Sequence, residues 1–347
     1  MMFGRLMLDH PNTSKLNPTP ASAIHRPSAR IKRAYLNQEN TTTTAGLLAK
    51  KQPIPYHSPR RSASGNEARR TRNGLSEVTD NLPKFNNPPV IEAVLGVQFS
   101  PLEGYTSAHA GWFWRDYLGD SWPSSSDAQL IANSFEKFGK DERWSPRQLT
   151  ISPAESIARS QFSNPDDERM IQVQNTRLHY NWRKQQGHYP SYQGCRVPFL
   201  KTWSLFNEFC ERAKLGKVEP NQWEITYFNH VPRGDLWSEF SDLLEVFPFI
   251  SSLPLVDPCT ILDGGKFSWR SALRDQAGRL HISLEHVRVG GIEGPEAIRL
   301  TLTARGPIGE QSGNNLATGL DIGHEAIVRY FAAMTSESAH KYWERTQ

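Results

Sequence analysis

The chain has 347 residues, 37% of them hydrophobic, which is long enough to bury a sizeable core in one large domain or two or three average ones. Its three cysteines form no CxxC pair, and no apolar run approaches the roughly 18 residues of a membrane helix. These features argue against a disulfide framework, a zinc site and a membrane protein, and they favour a reducing compartment such as the cytoplasm.

The charge is unevenly distributed along the chain. Residues 1–80 contain 13 Lys/Arg and 5 Asp/Glu, or +8, whereas the remaining 267 residues contain 27 and 31, or −4. Residues 81–347 are therefore mildly acidic, and their net charge does not favour binding to nucleic acid.

Residues 1–85 are rich in Ser, Thr, Asn, Pro and Arg and have few aromatic residues. Such a composition cannot bury enough surface to offset the entropy of ordering, so it predicts a disordered basic tail. The runs Arg60-Arg61 and Arg69-Arg70-x-Arg72 leave three interpretations open: a solvated tail, a nucleic-acid contact, or an organelle transit peptide. A single α+β domain is predicted over 86–347.

The first half of that domain, residues 86–216, is predicted to contain a strand, a helix, three strands and a long helix. Val90 to Phe99 is β-branched and apolar between prolines, which is typical of a buried strand. In the long helix, Phe199, Trp203 and Phe206 recur at helical spacing. The predicted strands are 90–99, 156–162, 169–174 and 177–184, and the predicted helices are 106–118 and 196–215.

The second half, residues 217–347, repeats the same order of elements. Its predicted strands are 222–231, 266–274, 278–287 and 296–304, and its predicted helices are 235–247 and 321–344. The repetition predicts two βαβββα-like units related by a pseudo-twofold axis, in which an antiparallel sheet carries two long helices on one face. This arrangement resembles the TATA-binding-protein-like or helix-grip class of architectures, a likeness that implies a fold and no activity.

The densest cluster of polar and aromatic residues follows the strand 177–184. Strand alternation places Asn181 and Arg183 on the face opposite Trp182, and Tyr189 and Tyr192 come just after it. An arginine beside aromatic rings is suited to bind an anionic or planar group, although the same residues also suit a solvated face beside a core.

A second candidate is the pair Asn229 and His230 at the end of a strand before Pro232. Such a pair could bind a ligand or transfer a proton, or could equally be satisfied by local backbone groups. His324, beside Asp321 and Glu325, is predicted to open the last helix, where capping explains the acidic residues. The predicted binding residues are therefore Asn181, Arg183, Tyr189, Tyr192, Asn229 and His230.

Motifs of well-known catalytic sites are absent from the sequence. It contains no GxSxG, HExxH, Walker loop, GxGxxG or EF-hand pattern, and Gly290 to Gly294 is a glycine-rich turn between two strands. No catalytic residue, metal ligand or cofactor is predicted.

Four segments together resemble a known family. NPPVIEAVLGVQF, LHYNWRK followed by YPSY, ITYFNHV, and GHEAIVRYF with SAHKYWER are similar to a sporadically distributed family of uncharacterised bacterial and archaeal proteins. Those proteins have roughly 250 residues, within the size range of one domain. The resemblance covers about residues 86–345 and implies a compact intracellular protein, an accessory or defence-linked gene product. The family has no established activity, so it supplies no catalytic residues.

Three functional hypotheses follow. The first is a non-enzymatic binding or regulatory protein that holds a protein partner or a small ligand. The second is an enzyme with an unfamiliar site near Arg183, Tyr192, Asn229 and His230. The third is nucleic-acid binding through the basic tail.

Overall fold

The computed structural model describes residues 82–138, 158–251, 256–257, 260–261, 264–309 and 313–347. The prediction for the tail, 1–85, thus lies outside the described residues except for its last four. Those four residues belong to the folded part: Leu82 is buried, and Phe85 packs edge-on against Phe331. The described fold therefore includes chain that precedes the predicted boundary at residue 86.

This part of the chain contains runs of strands separated by helices. The strands are β1 (Val90–Phe99), β2 (Ser124–Ala128), β3 (Arg159–Ser163), β4 (Arg169–Gln174), β5 (Arg177–Arg183), β6 (Pro220–Pro232), β7 (Val256–Asp257), β8 (Thr260–Ile261), β9 (Lys266–Ala272), β10 (Arg279–Arg288) and β11 (Glu296–Pro307). The helices are α1 (Ser107–Phe113), α2 (Ser191–Arg212), α3 (Leu243–Val246), α4 (Leu316–Met334) and α5 (Glu337–Tyr342).

Nine of the strands form one antiparallel sheet in the order β2-β3-β4-β5-β1-β6-β11-β10-β9. The central strand β1 pairs with β5 and β6, so that Leu95 lies opposite both Tyr180 and Ile225. β7 and β8 form a separate two-stranded ladder. The predicted α+β class with an antiparallel sheet is confirmed.

Strand alternation gives the sheet two chemically different faces. The apolar face carries Leu95, Trp182, Ile225 and their aligned neighbours, which are buried. The polar face carries an aligned row that crosses six strands and has side chains from five of them: Gln172, His179, Glu224, Arg305 and Arg279. On β1 this row passes Gly96, which has no side chain and so leaves room for the His179 ring.

The two long helices pack on the sheet through different kinds of contact. Phe206 of α2 stacks against Phe99 of β1, with ring centroids 5.6 Å apart. α4 begins where Asn315 accepts a hydrogen bond from the backbone of Thr318, and its Gly323 lies against Trp223 of β6. An N-cap asparagine and a glycine at the contact explain why α4 starts and sits where it does.

Some predicted boundaries were wrong, and local contacts explain why. The predicted helix 235–247 is helical only from Phe240, because the Asp242 carboxylate accepts the backbone N–H groups of Ser238 and Glu239 and holds them in a turn. The closing helix begins five residues earlier than predicted and ends at Met334. Ser336 then caps the short helix α5 by accepting from the backbone of Ala339.

A glycine in α4 tests how tightly the helix packs. A Cβ on Gly323 would lie 2.6 Å from Trp223 Cζ3 and 2.7 Å from Ile225 Cγ2. We expect Gly323→Ala to lower the free energy of unfolding by about 1–3 kcal/mol, because overpacking outweighs the helix propensity gained. Urea unfolding measures the change. The matched control is Gly111→Ala in α1, where a Cβ meets nothing within 4 Å and the change should be neutral or stabilising. Equal effects in the two variants would contradict this account of the packing.

Candidate functional site

A cavity of about 650 Å³ lies among α2, α4, the apolar face of the sheet and the N-terminal segment 82–88. This volume falls in the range of small-molecule sites, which are usually concave and mostly apolar with a few polar groups that converge. We call it the helix cavity. Its floor includes Tyr227 and Asn229 of β6 and Leu302 of β11.

A chain of hydrogen bonds runs along one side of the helix cavity. The Tyr189 hydroxyl lies 2.9 Å from the Tyr227 hydroxyl, which in turn lies 3.0 Å from Nδ1 of His324. The three residues come from the loop before α2, from β6 and from α4, so the tertiary fold brings them together. Each hydroxyl can donate to one neighbour and accept from the other.

Beside this chain, α2 and α4 are joined by a second polar cluster. The Tyr192 ring stacks on the His324 ring with centroids 4.0 Å apart and planes within 8°, and its hydroxyl donates to Asp321 Oδ1 at 2.7 Å. Arg196 approaches the same carboxylate through Nε, 2.8 Å from Oδ1, and through Nη2, 3.0 Å from Oδ2. Of these two nitrogens only Nη2 forms a hydrogen bond, and this charge-assisted bond joins the two helices here together with the bond from Tyr192.

The protonation states of the cavity residues follow from their burial. Burial raises the pKa values of Tyr189, Tyr192 and Tyr227, and the nearby Asp321 carboxylate raises that of Tyr192 further. Burial also lowers the pKa of His324 to about 4. At neutral pH the tyrosines are therefore protonated and the imidazole is uncharged. With Arg196 paired to Asp321, this polar end of the cavity carries no net charge.

The opposite end of the cavity is mostly apolar, and Lys84 of the N-terminal segment is the charged residue that also lines the cavity there. Ile327, Val328 and Phe331 line it from α4, and Leu82 and Phe85 line it from the N-terminal segment. That segment is attached to the end of the chain by backbone hydrogen bonds between residues 84–87 and 343–347 and by an isolated β-bridge between Phe85 and Arg345. One wall of the cavity is thus formed by the N-terminal segment, which the end of the chain holds in place.

Three of the six predicted binding residues line the helix cavity. Tyr189 and Tyr192 take part in the polar clusters, and Asn229 lies in the floor, where its Nδ2 donates to the backbone oxygen of Leu300. The loop and the first turn of α2 therefore bring the two tyrosines to the apolar face of the sheet.

The other three predicted residues lie on the polar face, so the structure does not assemble the six into one site. Asn181 is buried and bonded to Glu92 and Gln172, with its Nδ2 2.6 Å from Glu92 Oε1. Arg183 forms an ion pair with Asp167. His230 lies beside Arg299 of β11. The expectation that Asn181 and Arg183 would join Tyr189 and Tyr192 was wrong, because the strand and the loop after it lead to opposite faces.

Sequence reasoning missed Arg196, Tyr227, Asp321 and His324 as cavity residues. A signal was present: Tyr192 and Arg196 are four residues apart on α2, and Asp321 and His324 are three apart on α4, so each pair shares a helix face. Because the closing helix was expected to begin at Asp321, that residue was interpreted as a cap instead of as part of a polar face.

No family model matches the chain, and no curated protein matches it. Among the described residues, no group of three or more His, Cys, Asp or Glu side chains is placed to hold a metal ion, and no helix is both long enough and apolar enough to cross a membrane. The geometry of the helix cavity is therefore the best indication of function.

The depressed pKa of His324 predicts a pH dependence of stability. Its folded pKa is below the unfolded value, so the unfolded chain binds the proton more readily and stability falls as pH drops from about 6.5 to about 4. We expect His324→Gln to flatten this fall by up to about 1.4 kcal/mol per pH unit, measured by urea unfolding at several pH values. The exposed His188 is the control, because His188→Gln should keep the wild-type slope. An unchanged slope in His324→Gln would contradict the burial of an uncharged imidazole.

Proposed function

We propose that this chain is a binding protein for a small amphipathic molecule held in the helix cavity. The observation that carries the proposal is the cavity itself, which is about 650 Å³ in volume with one apolar end and one polar end whose groups are paired and together uncharged. An uncharged polar head of the bound molecule would form hydrogen bonds with Tyr189, Tyr227 and His324. An apolar body would lie against Ile327, Val328 and Phe331.

Binding explains the electrostatics of the cavity better than acid–base catalysis does. A general acid or base works best with a pKa near the working pH. Burial moves His324 to a pKa of about 4 and raises the pKa values of the tyrosines, so these groups resist gaining or losing protons at neutral pH. They remain good hydrogen-bond partners, which suits recognition. The enzyme hypothesis at Arg183, Tyr192, Asn229 and His230 is also weakened, because these residues lie on both faces of the sheet.

We further infer that the two halves arose by duplication. The strand order supports this inference, since β3-β4-β5-β1 and β9-β10-β11-β6 meet at β1 and β6 and each series is followed along the chain by a long helix. In this reading α2 and α4 are equivalent helices on one face, and the helix cavity lies where the two halves meet. Ligand sites are frequent at such junctions.

The remaining expectations belong to the same proposal. Residence in the cytoplasm is supported by the free buried thiols of Cys195 and Cys210. The resemblance to the sporadic bacterial and archaeal family supports a regulatory, accessory role. Nucleic-acid binding was assigned to the basic tail, which lies outside the described residues, and a partner protein remains an expectation for the regulatory role.

The proposal is tested with the apolar fluorescent dye N-phenyl-1-naphthylamine. We expect the wild-type chain to bind the dye saturably, with an increase in fluorescence. Val328→Trp places bulk inside the cavity, where an overpacking cost of about 1–3 kcal/mol corresponds to about five- to 150-fold weaker binding. The matched control is Val197→Trp on the exposed side of α2, which should bind as the wild type does.

Two results would contradict this function. One is the absence of saturable dye binding by the wild type. The other is an equal loss in the cavity and control variants. Native mass spectrometry of the purified chain provides an independent measurement, because a co-purified small molecule should be present in the wild type and depleted in Val328→Trp.

A further inference from the structure

An extended segment crosses the polar face of the sheet without joining it. Residues 129–138, which we call the strap, follow β2 and form no helix or strand. Within the described part of the chain, no backbone group of the strap bonds to a backbone group of another segment. Its apolar side chains do not belong to the hydrophobic core, and Phe135 is 52% exposed. The strap is thus held mainly by polar contacts and by the ring of Phe138, whose centroid lies 4.8 Å from Cζ of Arg279.

Side chains of the sheet bind the backbone of the strap. Gln174 pairs with both backbone groups of Ile131: its Oε1 accepts from the nitrogen at 2.9 Å, and its Nε2 donates to the oxygen at 2.9 Å. Gln98 accepts from the backbone nitrogen of Ser134 at 2.8 Å.

Three more sheet side chains continue this pattern along the strap. Gln222 accepts from the backbone nitrogen of Glu136 at 3.2 Å. Arg177 donates to the backbone oxygen of Ala132 at 2.9 Å, and Arg279 donates to that of Lys137 at 3.3 Å. Any extended segment without proline at the donor positions offers the same backbone groups, so these contacts do not depend on the sequence of the strap.

One strap side chain is bound specifically. The carboxylate of Glu136 lies 2.7 Å from Nε2 of His281, 3.1 Å from Nη1 of Arg279 and 3.9 Å from Nε of Arg305. Although burial opposes ionisation, the hydrogen bond from His281 and the charges around it hold the pKa of Glu136 below its ordinary value. An ionised carboxylate only accepts hydrogen bonds, so His281 donates here. The sheet therefore contains a pocket for one carboxylate.

The charges beneath the strap favour an anionic occupant. Arg177 and Arg305 flank Glu224, whose carboxylate lies 2.9 Å from Nε of Arg305 and 3.7 Å from Nη1 of Arg177. Arg279 lies beside Arg305 on the neighbouring strand. The carboxylate of Glu136 lies among these guanidinium groups, 3.1 Å from Arg279 and 3.9 Å from Arg305. Release of the strap would leave this buried set less balanced, and burial makes unbalanced charge costly. Another carboxylate would restore the balance.

We propose that the polar face is a docking site for an extended peptide segment of a partner protein that carries a carboxylate side chain, and that the strap occupies this site in the free chain. The pairing of Gln174 with both the N–H and the C=O of one residue matches a peptide backbone. A nucleic-acid backbone offers no N–H donor, so the same contacts favour a peptide over RNA or DNA. The strap keeps the site closed until such a segment displaces it.

The experiment uses a fluorescein-labelled peptide with the strap sequence, QLIANSFEKF, and the full chain. In the wild type the strap competes with the peptide for the site. The apparent affinity is therefore the intrinsic affinity multiplied by the fraction of molecules in which the strap is open. Glu136→Ala weakens the hold of the strap, and we expect it to bind the peptide at least about tenfold more tightly than the wild type does, measured by fluorescence anisotropy. A second peptide with glutamine in place of the glutamate should bind much more weakly.

The matched control is Glu285→Ala, which removes a carboxylate on the same face. Glu285 pairs with Arg299 and Lys266 and, within the described part of the chain, forms no hydrogen bond or ion pair with the strap. This variant should bind the peptide as weakly as the wild type. Equal binding by Glu136→Ala and the wild type, or equal binding of the two peptides, overturns the proposal. Binding of oligothymidylate by Glu136→Ala without binding of the peptide also overturns it, in favour of a nucleic acid.

A measurement on the wild type covers the case in which Glu136→Ala does not fold. Excess peptide should accelerate hydrogen exchange at the amides of Ile131, Ser134 and Glu136, because it displaces the strap from its glutamine partners. The amides of β6 should not change. Unchanged exchange at the three strap amides overturns the proposal.

Discussion

The close approach of α4 to the sheet depends on one side chain, Trp223. Its indole is fully buried and touches four glycines: Gly319 and Gly323 of α4, Gly278 before β10 and Gly306 of β11. A Cβ on Gly278 or Gly306 would lie 2.8 or 2.6 Å from the indole, closer than packed carbon atoms tolerate. The large indole of Trp223 thus fits because four glycines surround it. The thickness of the indole sets the distance between α4 and the strands.

This constraint also sets the geometry of the helix cavity. His324 follows Gly323 directly, and Asp321 lies two residues before it, so both polar groups are positioned by the contact between α4 and Trp223. On the other side, α2 is held by an aromatic cluster in which Phe206 packs against Phe99 and Phe113. Tyr192 and Arg196 then reach across to α4. The polar end of the cavity therefore exists because two differently packed helices are both rigidly placed.

Local patterns in the sequence predicted the strands well, because apolar and β-branched residues alternate in them with little ambiguity. The strand β4 was predicted over its observed bounds, and the hairpin of β9 and β10 was predicted around the correct turn. The strand β2 was missed because SSSDA has no apolar alternation, and it exists only through pairing with β3. The strap was missed for a similar reason, since its partners are side chains from distant strands.

The candidate site could be predicted only in part for a physical reason. The alternation of side chains along the strand correctly placed Asn181 and Trp182 on opposite faces of the sheet. It does not tell which face has room for a ligand. The face that carries Asn181 and Arg183 was expected to bind a ligand or to face solvent, whereas the strap covers part of this face and Asn181 is buried. The cavity instead lies on the apolar face, since α2 and α4 leave space between them. Packing of this kind depends on contacts such as Tyr192 with Asp321, 129 residues apart, which no local pattern contains.

The helix cavity and the proposed docking site beneath the strap share one strand. β6 directs Tyr227 and Asn229 into the cavity and Gln222 and Glu224 toward the strap. It is paired with β1 and β11 along nearly its whole length, so it cannot shift locally without breaking two ladders. Coupling between two sites needs an element with two arrangements that both ligands bias. A strand held on both edges offers no such element, and the two sites should therefore fill independently.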